Sequence, residues 1–384
     1  MRRLSIALVA AVAVFGSPAS AAADETLARI SHPGPVSTFD GRVLWSEYDP
    51  VAKSYFLTQR FGTTTARLPV RPRRVPFDVD VGRNLGNDTV AAYSRCRREP
   101  RGRDPRTGSA LTQMPQWSTG RGCDLYLLNL RTNVETRIRG ASSRGASEFL
   151  PAVWRNRIVF ARVYERRRRI AGDRAHLYFR RLTRDRASRR LPAGPRGRAR
   201  FCSGRPQRCR RLVEPGPTTI DLTGRVLGVG WDSTEDAGPT SAVYMEKLRA
   251  SRIVRRLLAR GYSGEIQAEE LLGPQIDTAG RMVWIRSLFG DSTRSQVERY
   301  TIQNGRRDVA SLQPVAGETY VRTIVGSAVE RSTPLYLSSG LFPVTEPCSP
   351  QSPCLVEPGC SEAQPCELRT ATALRFTRTG PFRR

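Results

Sequence analysis

The residues able to carry chemistry are few and scattered. Only two histidines occur, His32 and His176. His32 sits beside a short strand candidate and His176 opens another, so both are expected to be structural or surface residues, and histidine-based lyase or metalloprotease chemistry is poorly supplied. No G-x-S-x-G nucleophile elbow occurs, and neither lysine, Lys53 or Lys247, follows a glycine-rich phosphate loop. Two acidic groups, Asp232 to Asp236 (DSTED) and Asp78 with Asp80, carry oxygens that suit calcium. Neither matches the twelve-residue EF-hand loop, and both are expected to be solvated turns. A glycosidase-type carboxylate pair could be assembled from distant segments, but nothing in the sequence selects one pair. No catalytic residue, metal ligand or cofactor site is assigned.

Eight cysteines give more definite chemistry. Cys96 ends one strand candidate and Cys123 opens the next, so a hairpin would set them facing each other. Cys202 and Cys209 close a small loop, while Cys348, Cys354, Cys360 and Cys366 recur every six residues in a Pro-rich excursion. The x5 spacing with no nearby histidine disfavours zinc and points to disulfides, with the connectivity of the last four open.

Charge is the other local signal. The chain carries a formal +28, and Lys53 and Lys247 are its only lysines. A polyanion partner is invited by such a balance, although near-total replacement of Lys by Arg also follows from a GC-rich genome. The densest block runs from Arg162 to Arg211 and includes Arg166, Arg167, Arg168, Arg169, Arg196, Arg198 and Arg200. Blocks of like charge repel and favour interaction segments, so these seven are the candidate anionic-surface contacts. Aromatic residues do not interleave with them as a stacking platform would require, and nucleic acid is disfavoured.

What must position these groups is a repeat. GPVSTFDGRVLW (Gly34 to Trp45) returns as GPTTIDLTGRVLG (Gly216 to Gly228) and GPQIDTAGRMVW (Gly273 to Trp284), with looser copies at Glu148 to Phe160 and Pro76 to Tyr93. Each is a strand, a tight turn and a second strand. Asp40-Gly41 supplies the positive-φ reversal. Later strands share the phrase x-[LV]-Y-x-x-x-L at Asp124 to Leu130, His176 to Leu182 and Ala242 to Leu248. Inner strands are apolar at consecutive positions, as sheets packed on both faces require. The best helical candidate, Glu246 to Gly261, overlaps two repeat strands, and the repeat is preferred. Six units of this kind predict an all-β, six-bladed β-propeller of four-stranded antiparallel blades. The units span approximately residues 34–72, 76–140, 147–215, 216–265, 272–316 and 317–384. The sixth lacks an outer strand of its own, and the orphan ETLARI (Glu25 to Ile30) is expected to complete it and close the ring.

The segment PVSTFDGRVLWS (Pro35 to Ser46) resembles the propeller repeat of the TolB-like family, through Pro35, Ser37, Asp40, Gly41, Leu44 and Trp45 with Ser46 adjacent. The match is good in the first unit and partial in the fourth and fifth. In that family and in the related prolyl-oligopeptidase-like propellers these residues build the blade and are not catalytic. The resemblance covers the propeller only, without the N-terminal α/β domain of TolB, which puts a role in the Tol envelope system in doubt.

At the N-terminus Arg2 and Arg3 precede an apolar run, Leu4 to Gly16, and a small-residue stretch, Ser17 to Ala23. The run is shorter than the roughly 20 residues that span a bilayer. It reads as a signal peptide over residues 1–23, followed by a single exported domain over 24–384 with no transmembrane segment. The expectation is a secreted or cell-envelope, monomeric, non-catalytic propeller binding a protein, glycan or anionic envelope polymer through its loop face. The alternative is a polysaccharide lyase or glycosidase acting in the propeller funnel.

Overall fold

The structure is a computed structural model. It describes residues 25–31, 35–98, 120–143, 145–164, 175–183, 187–191, 200–203, 208–211, 216–232, 238–248, 253–263, 268–289, 294–313, 324–330, 333–338, 365–371 and 374–379. Among these residues there is no helix, and none therefore that is long and apolar enough to cross a membrane.

The expected ring is present. Strand β1 (Thr26–Ile30) stands apart from the first blade, which is built from β2 (Val36–Phe39), β3 (Arg42–Asp49), β4 (Ser54–Phe61) and β5 (Thr64–Arg67). The second blade is β6 (Val79–Arg83), β7 (Thr89–Arg95), β8 (Asp124–Asn129) and β9 (Glu135–Arg137). The third is β10 (Ala146–Trp154), β11 (Arg157–Tyr164), β12 (His176–Arg181) and β13 (Arg189–Arg190). A hairpin of β14 (Arg200–Ser203) and β15 (Arg208–Arg211) then intervenes outside the blades. The fourth blade is β16 (Gly216–Thr223), β17 (Val226–Asp232), β18 (Gly238–Leu248) and β19 (Ile253–Ser263), and the fifth is β20 (Ala268–Ile276), β21 (Arg281–Phe289), β22 (Arg294–Thr301) and β23 (Arg307–Ser311). The sixth has β24 (Ile324–Glu330), β25 (Thr333–Ser338) and β26 (Cys366–Thr370), and β1 is its fourth strand, with Ile30 opposite Cys366. The six inner strands β2, β6, β10, β16, β20 and β24 each touch their two neighbours, and the circle closes from β24 back to β2.

The repeat explains itself at the turns and between the blades. Asp40 and Gly41 have φ of 56° and 75°, the two consecutive left-handed residues of a tight hairpin. Leu44 packs toward the second blade with Phe77, Val81 and Tyr93, while the next residue, Trp45, packs toward the sixth with Ala328 and Leu368. Consecutive apolar residues thus serve opposite faces of one sheet. The core is accordingly a set of interfaces between successive blades, closing with the one that joins the sixth blade to the first. At Gly82 a Cβ would lie 2.2 Å from the carbonyl oxygen of Val153, so adjacent inner strands approach too closely for any side chain.

One element departs from the sequence reading. The sixth unit, 317–384, assigns every strand after β23 to the sixth blade. Instead β26 ends at Thr370, and β27 (Thr377–Arg378) crosses to β23 as a fifth strand on the fifth blade. Where the sequence offered its best helical candidate, residues 246–248 belong to β18 and 253–261 to β19, as the repeat implied.

Candidate functional site

Antiparallel blades sort their connections by end. Connections from first to second and from third to fourth strands emerge at one end of the ring; those from second to third strands and from one blade to the next emerge at the other. The first set consists of short turns, such as 40–41, 84–88, 155–156 and 224–225. The second set contains the extended segments 96–123, 165–175, 191–215 and 339–365. One end of the propeller is therefore a face of tight turns and the other a face of long connections. Between them runs the axis.

Three carboxyls line the inner strands near that axis. Asp78 precedes β6, Asp80 lies on β6 and Asp221 on β16, and all three are buried. The expectation of solvated turns for Asp78 and Asp80 is overturned: the run Phe77 to Val81 forms the inner edge of a blade, where the next blade covers both. Each carboxylate accepts a backbone N–H from the following blade. Asp78 Oδ2 accepts from Leu150 at 3.1 Å, Asp80 Oδ2 from Val153 at 2.7 Å, and Asp221 Oδ2 from Ile276. Ser37 plays the same part in the first blade, accepting from Val81 N at 3.0 Å while donating to Asp80 Oδ1 at 3.1 Å. Ser46 accepts from Phe77 N at 3.0 Å. The ring is thus stapled at its centre by side chains that satisfy inner-strand backbone donors.

Burial sets the electrostatics of this group. It pushes Asp78 and Asp221 each up to about 6, against the lowering effect of their hydrogen bonds. Asp80 is raised well above the ordinary carboxylate range, first by burial and then by the charge of Asp221, although its bonds to Val153, Ser37 and Val81 oppose the shift. Blades two and four therefore bring together the carboxylate pair that the sequence alone could not select. Its oxygens face backbone donors of neighbouring blades, and the chemistry this arrangement performs is bracing. Among the described residues, no group of three or more metal-ligating side chains is assembled.

The long-connection face is best described on the third blade. There β11 ends at the exposed Tyr164, β12 begins at His176 and β13 ends at Arg190. The hydroxyls of Tyr164 and Tyr178 are 3.3 Å apart, and Arg190 Nη2 lies 2.9 Å from His176 Nδ1. Arg162 covers the Tyr178 ring at 4.5 Å, ion-pairs with the buried Glu148 at 2.8 Å and donates to Ala141 O. Hydrogen bonds from Tyr178 and Arg162 hold the Tyr164 hydroxyl below its usual range, while burial raises Tyr178 and Glu148. The result is a rigid cluster of phenol, imidazole and guanidinium groups. Sequence reasoning missed it because its members sit at strand ends that only the fold aligns.

Of the expected contacts, Arg166, Arg167, Arg168, Arg169, Arg196 and Arg198 lie outside the described residues, in connections that leave these same strand ends. Arg200 is on β14, opposite Arg211. Cys96 and Cys123 form a disulfide, S–S 1.98 Å, at the mouth of the hairpin made by β7 and β8. Cys202 and Cys209 are opposite each other on β14 and β15. Cys366 is disulfide-bonded, while Cys348, Cys354 and Cys360 lie outside the described residues, as do His32 and Ser233 to Asp236.

No protein-family model matches the sequence, and no curated protein matches it. Solved structures with a similar fold include TolB from Acinetobacter baumannii, at 12% identity and TM-score 0.43, covering 87% of this chain and 65% of that one. The structure of YjhT is similar at 8% identity and TM-score 0.46, covering 93% of this chain and 99% of the other. The polysaccharide lyase Uly1 is similar at 7% identity and TM-score 0.39, covering 94% of each. This chain thus spans 65% of the length of the TolB chain it resembles.

Proposed function

We propose that the protein is an exported, non-catalytic propeller that binds an anionic glycan or envelope polymer through the face of its long connections. The observation that carries this reading is the segregation of connections. Short turns occupy one end of the ring, and Tyr164, His176 and Arg190 stand at strand ends of the other, where the Arg-rich stretches of the sequence begin or end. Phenol, imidazole and guanidinium donors on a rigid strand end suit carboxylates and hydroxyls of an acidic sugar polymer, with guanidinium able to grip a carboxylate in two places. Engagement of the axis carboxylates by neighbouring backbone favours binding over acid-base chemistry in the funnel. The basic, apolar and small-residue order of residues 1–23 and the Cys96–Cys123 bond support export to an oxidising compartment.

Alginate serves as the test polymer, with neutral dextran as control. The chain is expected to be retained on alginate saturably and in a salt-sensitive way, with no release of oligosaccharides. Tyr164→Ala combined with Arg190→Gln is expected to weaken retention roughly tenfold, as loss of one to two charge-assisted contacts implies. Released oligosaccharides reject the reading in favour of an enzyme, and absent retention rejects it outright.

A further inference from the structure

The face of tight turns carries a second feature, independent of the long-connection face. In the first blade the innermost turn is Asp40–Gly41, but the equivalent turns of the third and fourth blades are Arg155–Asn156 and Gly224–Arg225. Arg155 takes the left-handed φ of 53° that the turn demands. Next to it, Arg157 opens β11 and stands directly opposite Arg181 at the end of β12. Arg157 also reaches across the blade boundary, where Nη1 donates to Gly224 O at 3.1 Å, beside Arg225. Four guanidinium groups from two blades are thus gathered at one rim of the axis. Their mutual proximity is reflected in Arg157, whose charged form is disfavoured first by burial and then by Arg225, Arg181 and Arg155.

Elsewhere on the same face the fold neutralises such charges. Arg281 in the fifth blade pairs with its turn residue Asp277 at 2.7 Å, and Arg131 in the second pairs with Asp88 at 2.8 Å. Among the described residues no carboxylate pairs with Arg155, Arg157, Arg181 or Arg225. Three of the four are exposed, so their mutual repulsion is left for solvent or a ligand to relieve. Guanidinium forks match the tetrahedral oxygens of a phosphoryl group in two-point bonds, and several forks together favour an anion carrying more than one charge. We infer that the turn face between the third and fourth blades is a binding site for a multiply charged phosphoryl anion, held by Arg155, Arg157, Arg181 and Arg225.

The test uses the full chain with inorganic tripolyphosphate, read by titration calorimetry at low salt. Wild type is expected to bind one equivalent saturably. Arg181→Gln with Arg225→Gln, both at exposed positions and expected to leave the melting curve unchanged, should weaken binding about tenfold or more. A charge-matched control, Arg67→Gln with Arg131→Gln, should change it by less than about twofold, since distant exposed charges are screened. Absence of saturable binding, or equal loss in both variants, overturns the proposal. Vesicles of phosphatidylglycerol, compared with phosphatidylcholine, identify the source of the phosphoryl group. Sedimentation lost only in the Arg181/Arg225 variant assigns a lipid headgroup, and tripolyphosphate binding without sedimentation assigns a soluble polyanion.

Discussion

Asp80 and Asp221 show how a single buried carboxyl can hold two blades and still burden the fold with its charge. Both have folded-state pKa values raised above 3.8. The stability they contribute is therefore fully present below the unfolded value and is lost as pH rises through the folded one, about 6 for Asp221. Thermal melts are accordingly expected to show a more stable ring at pH 5.5 than at pH 7.5, with Asp221→Asn flattening the difference. Asp80→Asn keeps an oxygen for the Val153 N–H and removes the repulsion from Asp221, so it should be neutral or stabilising at pH 7.5. Asp80→Ala leaves that N–H without its acceptor and should cost on the order of 1–3 kcal/mol. A loss of stability on going from pH 7.5 to 5.5 would contradict the assignment. These roles were only half legible. Ser37 and Asp221 stand at the same distance before their turns, so the repeat alignment held a clue that both are bridging positions. It held none that the donor would come from another blade, since a backbone N–H has no signature in sequence.

At the scale of elements, the closing strand was readable because it was an orphan: Glu25 to Ile30 has strand character and no sequence neighbour, while the last unit lacked an outer strand. Its anchoring is specific. Ile30 is buried among Val36, Trp45 and Leu368, Thr370 N donates to Glu25 O, and Arg60 of the first blade donates to Leu27 O at 2.6 Å. Ile30→Ala should cost about 2–4 kcal/mol, the usual toll of emptying a packed aliphatic site, and should lower the denaturant midpoint with little change in slope. Removing Glu25 to Ile30 should destabilise the whole ring more than that single change, because it strips the edge of the sixth blade and its contact with the first together. An unchanged melting curve would show that closure is made elsewhere. By contrast β27 and the β14–β15 hairpin were invisible beforehand. Strands of two to four residues carry no readable period, and Thr377–Arg378 finds its partner on a blade other than the one its neighbours in sequence complete.

For the whole molecule the governing quantity is an excess of positive charge, +28, and the fold decides where it is spent. In the fifth blade two buried acids each gather two arginines: Glu298 pairs with Arg286 at 2.7 Å and Arg307 at 2.6 Å, and Asp308 with Arg299 at 3.1 Å and Arg306 at 2.7 Å. These pairs brace the fifth blade around two buried carboxylates. Among the described residues Arg155, Arg181 and Arg225 are exposed and paired with no carboxylate, and a chain of this net charge attracts polyanions at low ionic strength through its summed field. Salt separates that field from a built site. The Debye length falls from about 10 Å at 0.1 M to about 3 Å at 1 M, which erases attraction acting at a distance and spares contacts between touching groups. Alginate retention measured across that range is expected to fall steeply and then level off at a residual that depends on Tyr164 and Arg190. If retention instead vanishes by 0.3 M and is indifferent to those two residues, the long-connection face contributes only charge, and the ring is a cationic surface without a recognition site on that end.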